Sequence, residues 1–229
     1  MKVYVGQTRA PVLIERLTAL GFGECTQPRE LVRPKKKEIG PKRFPWFFDN
    51  GVFAAFKAGL AFDGAAYEAA LSRLKEVEQP PDFLVTPDLV GGGVDSIALS
   101  LDWVGKVKLF GSAYLVVQEG MNYTDVAQVL GQFAGIFVGG ATLEWKWATA
   151  KYWVQLAHFH SKPCHIGRVG TGIRVKMALA SGCDSIDSCV PLFSEGNLQN
   201  FIRPMGLVSI PPAKPNSEAK IGEQLCLLQ

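Results

Sequence analysis

The sequence predicts an α/β fold, a (β/α)8 TIM-like barrel in a single domain. Three observations carry this. Short apolar runs rich in β-branched and aromatic residues alternate with stretches of helical periodicity up to about residue 194. Eight such runs can be marked, and eight parallel strands close a barrel around packed side chains. Several runs end on a carboxylate or amide, which is where barrel enzymes hold their reactive groups. An open doubly wound sheet is the rival. It is disfavoured because Gly6-Gln7-Thr8-Arg9-Ala10 matches a glycine-rich dinucleotide turn poorly.

Taken in order, residues 2–6 read as the first strand and 11–20 as the first helix. That helix has Leu13, Ile14, Leu17 and Leu20 on one face, and Pro11 suits its first turn. Strands follow at 23–27, 46–50, 82–86, 113–118, 135–139, 163–167 and 184–188. Helical spacing covers 62–75 behind an Asp63 cap, 95–103, 123–133 behind Asn122 or Thr124, 142–158 and 172–181. Two segments break the alternation. Residues 30–45 are polar, basic and proline-containing, and are expected to form an exposed loop. Residues 195–229 carry Pro204, Pro211, Pro212 and Pro215 with little periodicity. They are expected to lie over the 1–194 barrel as a tail or to be partly disordered. No internal repeat of fixed period is present.

With 229 residues, 48% of them hydrophobic, the chain can bury a full core. A net charge of +3 is too mild to imply a polyanionic partner by itself. The charge is uneven, however: Arg33, Lys35, Lys36, Lys37, Lys42 and Arg43 fall within eleven positions. The five cysteines are an odd number without C-x-x-C spacing, so reduced thiols in a cytoplasmic setting are expected. The chain starts on a strand pattern without a basic and apolar leader. No apolar run approaches the roughly 18 residues of a membrane helix. The expectation is a soluble, cytoplasmic protein without a membrane partner.

The most informative stretch is Gly182-Cys183-Asp184-Ser185-Ile186-Asp187-Ser188-Cys189-Val190-Pro191, which places Asp187 at the end of a strand. Asp49, Asp88 and Gln118 end three other strand patterns. Strand alternation sends Asp184 to the face opposite Asp187, which makes Asp184 structural. His158 and His160 lie at the end of a helical stretch, two positions apart, and do not share a face. No metal site is expected there. Trp145, Trp147, Tyr152 and Trp153 are expected to pack against the barrel wall.

Five motifs in order then suggest a family. They are Asp49-Asn50-Gly51-Val52-Phe53, Val117-Gln118-Glu119-Gly120, Val138-Gly139-Gly140-Ala141, Ile166-Gly167-Arg168-Val169-Gly170-Thr171, and the stretch around Asp187. With these the chain resembles the tRNA-guanine transglycosylases from about residue 46 to 191. It is more similar still to their small phage and bacterial relatives that put 7-deazaguanines into DNA. Val52 and Glu119 stand where the family has glycines, and Ala54 where it has glutamine. The structural zinc site of the tRNA enzymes cannot be assembled, because only Cys226 follows Cys189 and no histidine follows His165. The barrel is therefore expected without the zinc subdomain, without bound metal and without a cofactor.

The resemblance implies base exchange in the cytoplasm of a bacterial or phage-infected cell. The partners would be DNA, or tRNA, and a free 7-deazaguanine. Asp187 would attack the anomeric carbon, as a carboxylate does in retaining glycosidases, and Asp49 would move the proton. Asp88 would accept the N–H and amino group of a guanine edge, and Gln118 would address its carbonyl side. Gly139, Gly140 and Ala141 would bring backbone amides to the ring. Lys35, Lys36, Lys37, Lys42, Arg43 and Arg168 would hold phosphates. Two other readings stay open: a small-molecule barrel enzyme using Asp49 and Asp187, and a nucleobase-binding barrel without activity.

Overall fold

The computed structural model describes residues 1–32, 41 and 43–207. Eight parallel strands close into a barrel in chain order: β1 (Lys2–Gly6), β2 (Gly23–Thr26), β3 (Trp46–Phe48), β4 (Leu84–Val85), β5 (Ala113–Val117), β6 (Gly135–Val138), β7 (Cys164–Ile166) and β8 (Ser185–Ser188). β8 returns to pair with β1, with Val3 opposite Ile186 and Tyr4 opposite Asp187. Every strand lies within two residues of its expected span. The residues trimmed from the C-terminal ends include Gln27, Asp49, Asn50, Gln118 and Gly139. These turn out of the ladder into the mouth of the barrel.

The helices are α1 (Pro11–Ala19), α2 (Pro28–Val32), α3 (Val52–Lys57), α4 (Gly64–Arg73), α5 (Gly93–Val107), α6 (Tyr123–Val129), α7 (Leu143–Phe159), α8 (Gly172–Ser181) and α9 (Glu195–Ile202). Local chemistry sets their starts. Asp63 accepts the Ala66 N–H, and Asn122 and Asp125 form a reciprocal capping box. Thr142, Thr171 and Ser194 cap α7, α8 and α9 in the same way. Each cap satisfies a backbone donor that the helix itself leaves without a partner. None of the described helices is long and apolar enough to cross a membrane.

Strand alternation divides the apolar residues into two cores. Val3, Val5, Trp46, Phe48, Leu115 and Val117 face outward into the layer shared with the helices. Tyr4, Cys25, Phe47, Phe83, Val85, Tyr114, Val116 and Phe137 fill the barrel itself. Inside, Phe47 stacks on Phe83 at 4.7 Å and Phe83 on Tyr114 at 4.1 Å. Trp153 is buried and Trp145 and Trp147 pack against the outer core as expected, whereas Tyr152, expected to pack with them, is exposed.

Two expectations need correction. Residues 30–45 are not simply an exposed loop. Leu31 is buried in α2, and Arg43 is only 1% exposed. The Arg43 guanidinium donates to the Val5 and Gly6 carbonyls at 3.2 and 3.1 Å and stands 3.6 Å from the Glu24 carboxylate. It closes the end of β1 and cannot reach a nucleic-acid phosphate. Lys35, Lys36, Lys37 and Lys42 lie outside the described residues. The stretch after β8 is also not featureless: α9 buries Leu198, Phe201 and Ile202 against the barrel, and Glu195 pairs with Arg16.

Arg43→Met should lower the unfolding free energy by roughly 3–5 kcal/mol, the cost of leaving one member of a buried pair alone. Urea titration measures this. A loss under about 0.5 kcal/mol, typical of surface positions, would contradict the structural role.

Candidate active site

The C-terminal ends of the strands surround a narrow cavity, with about 40 Å³ of room for the centre of a water-sized sphere inside about 510 Å³ of empty space that includes open solvent at its mouth. Phe47, Val85, Val116, Phe137 and Cys25 form its apolar lining. Asp49, Asn50, Phe53, Asp88, Gln118, Gly139, Gly140, Arg168 and Asp187 supply its polar groups and rim.

Asp49 follows β3, where its N–H bonds the Thr26 carbonyl. Its Oδ1 accepts the Asn50 N–H at 2.9 Å and its Oδ2 the Gln27 amide at 3.3 Å. Burial, then the charges of Asp187 and Asp88, push its carboxyl up to about 7 against those two donors.

Asp88 is held on both oxygens by side-chain amides. Asn50 Nδ2 donates to Oδ1 at 2.6 Å and Gln118 Nε2 to Oδ2 at 2.5 Å. Burial raises Asp88 to about 6, and the two amides and Arg168 pull the other way. Asn50 also donates to the Thr86 carbonyl at 2.7 Å and accepts the Val52 N–H at 2.9 Å. It ties the Asp49 turn to the end of β4 and starts α3. The triplet is thus a turn and part of the site at once, with Gly51 taking the left-handed φ of 75°.

Asp187 points into the barrel from β8. Its Oδ1 faces His165 Nε2 at 2.9 Å and accepts the Arg168 N–H at 3.1 Å. Its Oδ2 has no hydrogen-bond partner among the described residues. The Val169 N–H binds the Asp187 carbonyl at 2.8 Å. Two successive amides of the β7–α8 loop therefore fix this residue. Arg168 has a φ of 58°, a left-handed conformation uncommon for a residue with a side chain. Lys146, fully buried on α7, donates to the Gly167 carbonyl at 2.7 Å and braces the same loop.

The guanidinium of Arg168 lies 3.6 Å over the Phe53 ring and donates to the Gly140 carbonyl. Its charge faces the cavity, towards Asp187, Asp49 and Asp88. The expectation for the Gly139-Gly140-Ala141 amides needs correction. Gly139 N–H binds Val117 O at 3.2 Å, Gly140 N–H binds Gln118 Oε1 at 3.2 Å, and Ala141 N–H binds Glu119 Oε2 at 2.7 Å. Those donors are occupied within the protein, and Ala141 is not part of the cavity wall. The glycines matter for closeness. A Cβ on Gly139 would stand 2.7 Å from Val116 and 3.0 Å from the Gln118 amide.

The structure thus gathers Asp49, Asp88, Gln118, Gly139, Gly140, Arg168 and Asp187 at one cavity. Asp184 lies on the other face of β8, binding the Cys164 N–H and His158. Cys25 lines the cavity, but burial and the Asp49 and Asp187 charges push its thiol well above the ordinary value. It is not an activated nucleophile. The sequence places His165 in the seventh strand near the mouth and Asn50 and Phe53 in the Asp49 motif, but assigns no role to these three or to Lys146 and Ser185. Alternation on β7 carried the signal for His165, which sits between Cys164 and Ile166, both facing outward. Among the described residues no cluster of His, Cys, Asp or Glu is arranged to hold a metal ion. No protein-family model matches this chain, and no curated protein is detectably similar to it in sequence.

The raised Asp49 and Asp88 values mean that the folded state binds these protons more tightly than the unfolded chain. Stability is then fully present below the unfolded carboxyl value and falls as pH rises through about 6 and about 7. Asp49→Asn should raise the thermal midpoint at about pH 8.5 and change it little near pH 3. Scanning calorimetry across that range tests it. An unchanged midpoint at the alkaline end would mean that Asp49 is not held against ionisation.

Proposed function

We propose that the chain is a nucleic-acid guanine transglycosylase. It exchanges guanine, preferably in DNA, for a free 7-deazaguanine base through a covalent Asp187–sugar intermediate. The observation that carries this reading is the unequal treatment of two carboxyls in one cavity. Asp187 has one oxygen held by two donors and the other without a partner among the described residues. Asp49 sits near 7, where it can hold or release a proton.

The chemistry balances over two displacements. The free oxygen of Asp187 gives an electron pair to the anomeric carbon as the carbon–nitrogen bond to guanine breaks. That bond's pair goes to the ring nitrogen, and protonated Asp49 supplies the base with a proton. A glycosyl ester of Asp187 remains. In the return step Asp49, now a carboxylate, takes the ring N–H proton of the incoming base. The ring nitrogen attacks the anomeric carbon and Asp187 leaves as a carboxylate. Configuration and protonation end where they began.

Asp88 and Gln118 suit the two edges of a guanine-like ring. Asp88 keeps lone pairs for an N–H and an amino group, and Gln118 retains one amide proton for a carbonyl. Phe53 offers a ring face on which a base can stack once the Arg168 guanidinium yields it. DNA is preferred over tRNA because the ligands of the zinc subdomain are lacking in the sequence. A binding barrel without activity is the second reading, prompted by Val52 and Glu119. Neither residue lines the cavity. Val52 is buried at the start of α3, and Glu119 binds the loop after β6.

Incubation with labelled guanine and either duplex DNA or tRNA tests the reading; label should enter DNA. Asp187→Asn should abolish both label uptake and the denaturation-resistant protein–DNA adduct while leaving DNA binding nearly intact. Adduct formation by that variant would place the nucleophile elsewhere. Asp88→Asn should lower kcat/KM for guanine about 10- to 100-fold, since a site built to accept an N–H loses that much when the pairing fails. Unchanged kinetics would remove Asp88 from base recognition.

A further inference from the structure

The barrel holds one imidazole that base exchange, as written above, leaves without a part. His165 is fully buried on β7 and stacked on Phe137 at 4.7 Å, with Phe47 and Phe83 closing around it at 5.1 and 5.2 Å. In this cage both ring nitrogens meet one polar atom each. Nδ1 faces the Ser185 hydroxyl at 2.8 Å and Nε2 faces Asp187 Oδ1 at 2.9 Å. We propose that His165 is a positioning residue for the nucleophile, held by Ser185 as the neutral tautomer with its proton on Nε2. This inference rests on the transglycosylase reading and adds to it the device that aims Asp187.

The hydrogen-bond inventory assigns the tautomer. Asp187 Oδ1 already accepts the Arg168 N–H, so it is an acceptor, and the nitrogen facing it is the donor. Nδ1 then carries no proton and accepts a hydrogen bond from the Ser185 hydroxyl. Burial lowers the basicity of the ring, against the pull of Asp187, and favours the neutral form. The charged groups that act on it are Asp187 from β8 and Lys146 from α7. The remaining neighbours are the rings of Tyr4, Phe47, Phe83 and Phe137.

The consequence is directional. With Oδ1 held by a ring that cannot turn and by a backbone amide, the carboxylate plane is fixed and Oδ2 alone faces the cavity. Once the ester forms, Oδ1 becomes its carbonyl oxygen. The same two donors then stabilise the negative charge that returns to Asp187 as the second base displaces it. His165 gives up no proton in either step.

Two substitutions separate positioning from mere packing. His165→Phe keeps a ring in the aromatic cage and removes the donor. His165→Gln removes the ring and restores an amide N–H in the place of Nε2. In single-turnover assays with duplex DNA, His165→Phe should slow adduct formation about 10- to 100-fold. The Kd for DNA should stay unchanged, and His165→Gln should recover most of the rate. Equal rates in His165→Phe and wild type would overturn the proposal. So would a slow His165→Gln, which would show that the ring itself is needed. If wild type forms no adduct with DNA or tRNA, the reaction reading falls and this role with it. Nitrogen-15 NMR of histidine-labelled wild type tests the tautomer without any substitution. Nε2 should carry the proton and Nδ1 none from about pH 6 to 9, around the ordinary imidazole value. The opposite tautomer would overturn the assignment even if His165→Phe fails to fold.

Discussion

Three carboxyls share one cavity that water reaches only from its mouth, and they cannot all be ionised there at low cost. Like charges in a poorly solvated site repel, and burial penalises each of them separately. The surrounding structure resolves the conflict by giving each a different environment. Asp88 receives two side-chain amides, from Asn50 and Gln118. Asp187 receives an imidazole and a backbone amide on one oxygen. Asp49 receives the weakest support, one backbone N–H and a longer contact to Gln27, and it is the one raised furthest. Each carboxyl has two donors, so their number does not separate the three; burial and the charges of Asp187 and Asp88 are what raise Asp49 to about 7.

The aromatic interior sets the stage for this sorting. Phe47, Phe83, Tyr114 and Phe137 fill the barrel below the carboxyls, so the cavity has a dry floor. With few polar atoms in that layer, charge on the rim is met by the amides, the imidazole and Arg168. At the opposite end Tyr4 donates to Asp82 at 2.5 Å, which keeps its hydroxyl satisfied away from the reacting groups. His165 is the member of the ring layer with polar atoms at both edges. It carries the hydrogen-bond network from Asp187 to Ser185 through an otherwise apolar packing.

The barrel itself was legible because most of its strands lie in short apolar runs between polar breaks, the signal that burial on both faces produces, while β2 (Gly23–Thr26) and β8 (Ser185–Ser188) carry it only weakly. The ends of the strands pointed to Asp49, Asp88 and Gln118 because a polar residue closing an apolar run marks where the ladder stops, whereas Asp187 stays in the ladder opposite Tyr4 and was found as a polar residue near the end of β8. What escaped was whatever depends on neighbours distant in sequence. α2 and α3 are single or near-single turns with little room for periodicity. Arg43 looks like its lysine neighbours in the sequence and differs only because Glu24 and the end of β1 meet it in space. The glycine amides after β6 could not be known to be occupied without the Glu119 and Gln118 side chains in place. Gly139 gave no sign that its missing side chain makes room for Gln118.

Glu119 illustrates how one local charge acts through the site. Its carboxylate gathers the Ala141 and Thr142 N–H groups at 2.7 Å each and the Thr142 hydroxyl at 3.0 Å. Burial raises its value, but these donors outweigh it and leave Glu119 below the ordinary carboxylate range. It therefore stays ionised and keeps the loop after β6 closed. That loop presents the Gly140 carbonyl, which takes the Arg168 guanidinium. Arg168 in turn sits in a left-handed conformation whose N–H reaches Asp187. A left-handed arginine is strained unless its surroundings hold it, and here the side chain is held at one end by Gly140 and over its face by Phe53. The negative charge of Glu119 is thus linked through Gly140 and Arg168 to the orientation of Asp187. Glu119 is part of how the chain arranges its site, although it does not itself line the cavity.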